Sequence, residues 1–162
     1  MDDKPVQRGG IEGYGAALRA VALDFHNAPE RIVAPQVEAI YYGGDAGLEQ
    51  IISGVVSVEY VERRLPVFFG VHFRQRFSHF DDFDCYWNVV AKAGPIFAKN
   101  LGVKSGGRFE TGLGILTPIA GQKVFWDFNL ASHLFYNAEA HGNVFHKVEI
   151  TPALISGATF YF

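Results

Sequence analysis

Between residues 67 and 77 the chain alternates. Val67, Phe69, Val71, Phe73 and Phe77 fall on one face, and Gly70, His72, Arg74 and Arg76 fall on the other, with Ser78 beyond them and Phe68 as the one bulky exception. A period of two is the mark of a strand with two unlike faces. The pattern recurs along the chain. Ile52, Val56, Val58 and Tyr60 oppose Ser53, Ser57 and Glu59; Phe83, Cys85, Trp87, Val89 and Ala91 oppose Asp84, Tyr86, Asn88 and Lys92. Phe109, Leu113, Ile115 and Ile119 oppose Arg108, Glu110, Gly112 and Gly114. Val124, Trp126, Phe128, Leu130, Leu134 and Tyr136 share a face with Ser132, against Lys123, Asp127, Asn129, Ala131 and His133, with Phe125 and Phe135 on that second face as well. Val148, Ile150, Leu154, Phe160 and Phe162 oppose Lys147, Glu149, Thr151 and Thr159. Ile11–Phe25 and Arg31–Tyr42 are extended but weaker in pattern, and Pro35 marks an edge or a bulge in the second.

These eight segments are separated by short stretches of turn chemistry, among them Asn27-Ala28-Pro29, Gly43-Gly44-Asp45-Ala46-Gly47 and Ala120-Gly121-Gln122. Short links between consecutive strands make antiparallel neighbours. An even number of them, regularly spaced, predicts an all-β, eight-stranded antiparallel up-and-down barrel over residues 11–162, preceded by a flexible N-terminal leader at 1–10.

Alternation alone does not say which face is inside. A soluble barrel turns the apolar face inward and a membrane barrel turns it outward. Three features favour the transmembrane arrangement. Several patterned segments run to a dozen residues or more, where a tilted strand needs about 9–11 to cross a bilayer. The apolar face carries large side chains, while the other mixes Gly and Ala with polar groups, which suits the narrow interior of eight strands. Tyr60, Phe77, Trp87, Tyr136 and Phe162 stand near strand ends, where interfacial girdles form. The alternative is a soluble lipocalin-like barrel that binds a hydrophobic small molecule.

Composition narrows the field. With 49% hydrophobic residues, 15% aromatic and 19% charged, intrinsic disorder is excluded. A net charge of −3 gives no reason to expect nucleic acid as a partner. The single cysteine, Cys85, makes no internal disulfide, and no metal-ligand spacing or cofactor motif is present, so neither metal nor cofactor is expected. The longest apolar run, Leu65 to Val71, is far short of a membrane helix. Met1-Asp2-Asp3-Lys4-Pro5 has neither the basic nor the apolar region of a signal peptide. The start is either cytosolic or that of a mature chain.

The chain ends Ala158-Thr159-Phe160-Tyr161-Phe162. Alternating aromatics with a C-terminal Phe resemble the recognition signal of bacterial outer-membrane β-barrel proteins, and eight strands in this length are similar to the small members of that class. The resemblance implies a Gram-negative outer membrane, reached after removal of a signal peptide not present in this chain. It also implies periplasmic termini and outward-facing odd-to-even connections. Membrane lipid or lipopolysaccharide is then the expected partner, and an accessory role would add an envelope protein. Phe109-Glu110-Thr111-Gly112-Leu113-Gly114 further resembles a strand motif of the outer-membrane lipid A deacylases, and Ser132-His133-Leu134-Phe135-Tyr136-Asn137-Ala138 resembles the segment bearing their His-x-Ser-Asn, although Phe135 stands where that motif has Ser.

Two sets of residues could carry chemistry. The first is polar and faces the lumen: Glu59, His72, Arg74, Arg76, Asp84, Lys92, Arg108, Glu110, Asp127, His133, Lys147 and Glu149. Aligned about the turns, Lys92 approaches Arg108 and Glu110, Arg74 faces Asn88, and His133 approaches Glu149. Buried charges need partners, so the expectation is a structural network that plugs the barrel; an ion or proton path is the alternative. The second set is Ser132 and His146, both on the apolar face. With a simple hairpin near Ala140 they would lie diagonally across adjacent strands, a catalytic pair for a lipid A ester hydrolase. The expected role is therefore an envelope structural or accessory protein, with the esterase and the soluble carrier as alternatives.

Overall fold

Eight strands close into one antiparallel barrel in the computed structural model, each hydrogen-bonded to its neighbours in sequence and β1 to β8. The strands are β1 (Gly10–Leu23), β2 (Ile32–Asp45), β3 (Gln50–Glu59), β4 (Arg64–His79), β5 (Asp84–Ala98), β6 (Gly102–Ile119), β7 (Gln122–Tyr136) and β8 (Val148–Tyr161). The structure describes residues 10–23, 32–45, 47–60, 64–98, 102–119, 122–136 and 148–162. Gly10, assigned by the sequence to the leader, opens β1 opposite Asp45. Closure satisfies every neighbour-to-neighbour ladder, the condition for any sheet that is to sit in lipid. A 14-residue strand such as β1 is about 46 Å long at about 3.3 Å per residue, enough to cross an apolar band about 25 Å tall even when steeply tilted.

The alternation resolves into an inside and an outside. In β3 exposure and burial alternate at every position from Gln50 to Glu59. The exposed members are Ile52, Val56 and Val58, whereas Ser53, Ser57 and Glu59 are buried. In β7 the exposed residues are Trp126, Phe128 and Leu130, and the buried ones Phe125, Asp127 and Asn129. Large apolar side chains are exposed on all eight strands, while Arg19, Glu38, Arg74, Lys92, Arg108, Glu110 and Asp127 are buried. The soluble-carrier alternative needs the reverse distribution, and the structure corrects it: apolar side chains face out and charges face in.

Glycines on the lumen side let strands approach. A Cβ on Gly70 would stand 2.1 Å from the Ala91 carbonyl oxygen, and one on Gly157 would stand 2.3 Å from that of Leu18. Both neighbours are backbone and cannot yield. A bulge between Arg76 and Ser78 breaks the β4–β5 register and leaves Phe77 exposed.

Candidate functional site: the ionic lumen

The lumen is organised in layers. At the end that holds the β2–β3 turn, Ala17, Ile40, Leu48, Ile51, Val55, Tyr86, Leu116, Phe125 and Tyr161 form a buried apolar cluster. Its rings meet edge to face: Tyr86 on Phe125 at 4.8 Å, Phe125 on Tyr161 at 5.3 Å and Tyr42 on Tyr161 at 4.4 Å between centroids. Leu48 comes from the turn, not from a strand, and holds φ at 54°, a left-handed conformation that costs a non-glycine residue about 1 kcal/mol or more. Three contacts hold it there. Its N–H donates to the Asp45 carbonyl at 2.9 Å, its carbonyl accepts from the Tyr86 hydroxyl at 2.6 Å, and its side chain is buried in the cluster. The turn is also tied to β4, where the Arg76 backbone N–H donates to the Glu49 carbonyl at 2.8 Å and the Arg76 guanidinium donates to the Gly47 carbonyl at 3.0 Å.

Above this layer the charges form one connected network. Asp127 on β7 is its centre. Its Oδ2 accepts from Arg19 at 3.0 Å, from Arg74 at 2.9 Å and from the Thr159 hydroxyl at 3.3 Å, and its Oδ1 accepts from Asn88 at 3.0 Å. Glu110 on β6 pairs with Lys92 at 3.0 Å, Arg19 at 3.5 Å and Arg108 at 3.5 Å, and accepts from Asn129 at 3.3 Å. Glu38 on β2 binds Lys92 and, at 3.4 Å, Arg19. Glu59 on β3 binds Arg108 and accepts from Gln36. Arg74 joins the two layers: its guanidinium lies 4.6 Å from the Phe125 ring centroid and donates to the Tyr161 hydroxyl. Among the described residues, four buried cations (Arg19, Arg74, Lys92, Arg108) thus face four buried carboxylates (Glu38, Glu59, Glu110, Asp127). Beyond them Val21, Ala34, Ala131, Ala153 and Ile155 make a second buried apolar cluster.

Of the sequence-predicted lumen residues, Glu59, Arg74, Lys92, Arg108, Glu110 and Asp127 meet in this network. Arg76 does not join it; it sits at the rim with Glu49 at 3.4 Å and Asp84 at 3.6 Å, because β4 has by then reached the turn end of the barrel. His72 is buried beside Ser53 in register, its ring nitrogens without a hydrogen-bond partner among the described residues. His133 and Glu149 lie on β7 and β8, but their side chains are outside the described residues, as is all of Lys147. The sequence reading missed Arg19, Gln36 and Glu38, and it placed Asn129 and Thr159 on the polar face without assigning them to the network.

Of the Ser132–His146 pair, only Ser132 lies among the described residues. Tyr136 pairs with Val148, and Pro152, not His146, stands across from Ser132. His146 itself is outside the described residues. On the described strands, Ser132 has Ile150 and Leu154 as its diagonal neighbours, neither of which can act as a base.

No protein-family model matches the chain, and no curated protein is significantly similar to it in sequence. Solved structures that match it include the following two. Neisserial surface protein A (NspA) superposes with a TM-score of 0.63 over 95% of this chain and 99% of that one, at 10% identity. Ail, the attachment invasion locus protein of Yersinia pestis, solved in complex with the heparin analogue sucrose octasulfate, aligns over 96% of this chain and 100% of that one at 11% identity, with a TM-score of 0.41. NspA is a small eight-stranded outer-membrane barrel. The fold of this chain is that of a small outer-membrane β-barrel.

Proposed function

We propose that the chain is an integral outer-membrane barrel whose lumen is sealed, serving the envelope as a structural or accessory protein rather than as a pore. One observation carries the reading: large apolar side chains are exposed on all eight strands while the charges are buried in pairs inside. An apolar surface running round a whole barrel is incompatible with free existence in water; lipid is the solvent that suits it. Lipopolysaccharide and phospholipid are then the immediate surroundings of the wall. The interior speaks against conduction. Selective pores line their path with rings of one sign, whereas here each cation has a carboxylate within reach and an aromatic layer lies across one end.

The test is refolding from urea with and without detergent micelles, followed by electrophoresis of unheated samples. A compact, heat-modifiable band that forms only with micelles is the expected result. Folding to a monodisperse species in plain buffer would overturn the membrane reading.

A further inference from the structure

The outer wall is not uniformly convex. At the turn end of β2 and β3 it holds a shallow groove of about 490 Å³, lined by Tyr41, Gly43, Gly44, Asp45, Gln50, Ile52 and Gly54. The pairing explains it. Tyr41 stands opposite Gly54, and Gly43 opposite Ile52, so on this part of the outward face each large side chain is paired with a glycine. No heavy atom lies within 4 Å of where a Cβ on Gly43 or Gly54 would be. These two glycines differ from Gly70 and Gly157: space is left open above them, and no neighbouring backbone demands it. The lining is mostly apolar.

The end of the groove nearest the turn is acidic. Glu12 of β1 stands directly across from Gly43, is exposed, and accepts a hydrogen bond from the Tyr41 hydroxyl at 2.9 Å. The Tyr14 ring packs on that of Tyr41 at 5.3 Å, which fixes the phenol and through it the carboxylate. Asp45 belongs to the lining, which contains no cation among the described residues. A carboxylate on the lipid face of a barrel is tolerated at headgroup depth and costly near the midplane. Exposed tyrosines beside it belong at the same depth.

We infer that this groove is a binding site for one phospholipid bearing a primary ammonium headgroup, its ammonium on the Glu12 carboxylate and one acyl chain along Gly43, Ile52 and Gly54. The inference rests on the membrane reading. Charge complementarity selects the occupant: a headgroup with a free ammonium matches the carboxylate, and a headgroup with only a phosphate is repelled by it.

The full chain is reconstituted in phosphatidylcholine nanodiscs containing a small equal fraction of phosphatidylethanolamine and phosphatidylglycerol. Lipid adducts retained on the released protein are then read by native mass spectrometry. Phosphatidylethanolamine is expected to be retained about fivefold over phosphatidylglycerol, the size of one exposed ion pair. Glu12→Gln should bring the two to parity. Gly54→Leu fills open space and should lower retention of both, while the heat-modifiable band stays as it was. Equal retention by the unaltered chain, or a preference that survives Glu12→Gln, overturns the inference. So does a mass of two chains that is lost on Gly54→Leu, which would assign the groove to a second copy. Failure of the membrane reading is separate, because it shows as folding in plain buffer before any lipid is added.

Discussion

Asp127→Asn isolates the electrostatic part of the lumen. The carboxylate takes three charge-assisted or hydroxyl contacts on Oδ2, from Arg19 at 3.0 Å, Arg74 at 2.9 Å and Thr159 at 3.3 Å, and one from Asn88 on Oδ1 at 3.0 Å. The carboxamide has the same shape. Its oxygen can still face the guanidiniums, and its amide can donate to the Asn88 Oδ1, which has no partner now, once Asn88 turns over. Hydrogen bonding is therefore largely kept, and what is lost is the charge. Four buried cations are left with three carboxylates. Removing one partner from a buried ion pair costs about 3–5 kcal/mol, and the surviving carbonyl dipole puts this case at the lower end, about 3 kcal/mol. With a denaturant slope of about 2 kcal/mol/M in urea, the unfolding midpoint in lipid vesicles should fall by about 1.5 M. The readout is the fraction of heat-modifiable band against urea. Charge balance gives the argument its second leg. Asp127→Asn combined with Arg74→Met leaves three cations against three carboxylates, and it should recover part of the loss even though it removes another interaction. A midpoint that moves by less than about 0.3 M in the single variant would refute the account, and so would a double variant worse than the sum of the two singles.

Other consequences follow from the same geometry. Gly70→Ala and Gly157→Ala put a methyl against a neighbouring carbonyl oxygen, so neither should yield the folded band, whereas Gly54→Ala should fold with an unchanged midpoint. Tyr86→Phe removes the donor to the Leu48 carbonyl and should cost about 1 kcal/mol, seen as a small shift of the urea midpoint and faster proteolysis at the β2–β3 turn. Trp87 and Trp126 are exposed on the outer face, and Trp126 donates to Thr117 at 3.2 Å; lipids brominated along the acyl chain should quench their fluorescence, and a soluble quencher should reach them poorly. In planar bilayers the purified chain should give no steady conductance, and Arg74→Ala, which removes the link between the ionic and aromatic layers, is the variant in which leakage is expected first.

What the sequence revealed depended on contrast between the two faces. β3 to β8 pair bulky apolar residues with charges or glycine, so a period of two stands out; β1 and β2 do not. Their outward faces carry Ala16, Ala20, Pro35 and Ala39, their inward faces Ala17, Val21 and Ala34, and the difference in hydrophobicity nearly vanishes. Arg19 and Glu38 were lost in that flatness, although a single Arg in the run from Ala16 to Ala22 was the available signal. Pairwise alignment about turns brings adjacent strands together, and it found Lys92 beside Arg108 and Glu110. It cannot find contacts across the lumen, such as Arg19 on β1 with Glu110 on β6, because these exist only once the barrel has closed. Arg76 pairs with Tyr86 and lies 3.6 Å from Asp84, but at the rim: its inward direction was legible, its depth along the axis was not. The β7–β8 register, which pairs Tyr136 with Val148, was not legible because shifts of two residues preserve the two faces.

The placement of Arg19 bears on how closure is held. The β1–β8 seam pairs Gly15 with Tyr161 through Leu23 with Ala153, a shorter ladder than the one joining β5 and β6 from Asp84–Leu116 to Ala98–Gly102. It is also the joint between the two ends of the barrel, formed by the strands most distant in sequence. Arg19 sits on one side of that seam and Thr159 on the other, and both contact Asp127. Glu38 and Glu110 hold the same guanidinium from β2 and β6. An open sheet can satisfy Glu38 with Arg19, since their strands are adjacent in sequence. Asp127 and Glu110 reach Arg19 only when β1 and β8 have zipped in register. A slip of two residues along the seam would preserve every inward and outward direction, yet it would carry Arg19 about 7 Å along the strand and out of reach of its carboxylates. The buried pairs therefore select the one register in which all four carboxylates are matched, a specificity that the apolar wall, indifferent to such a slip, does not supply.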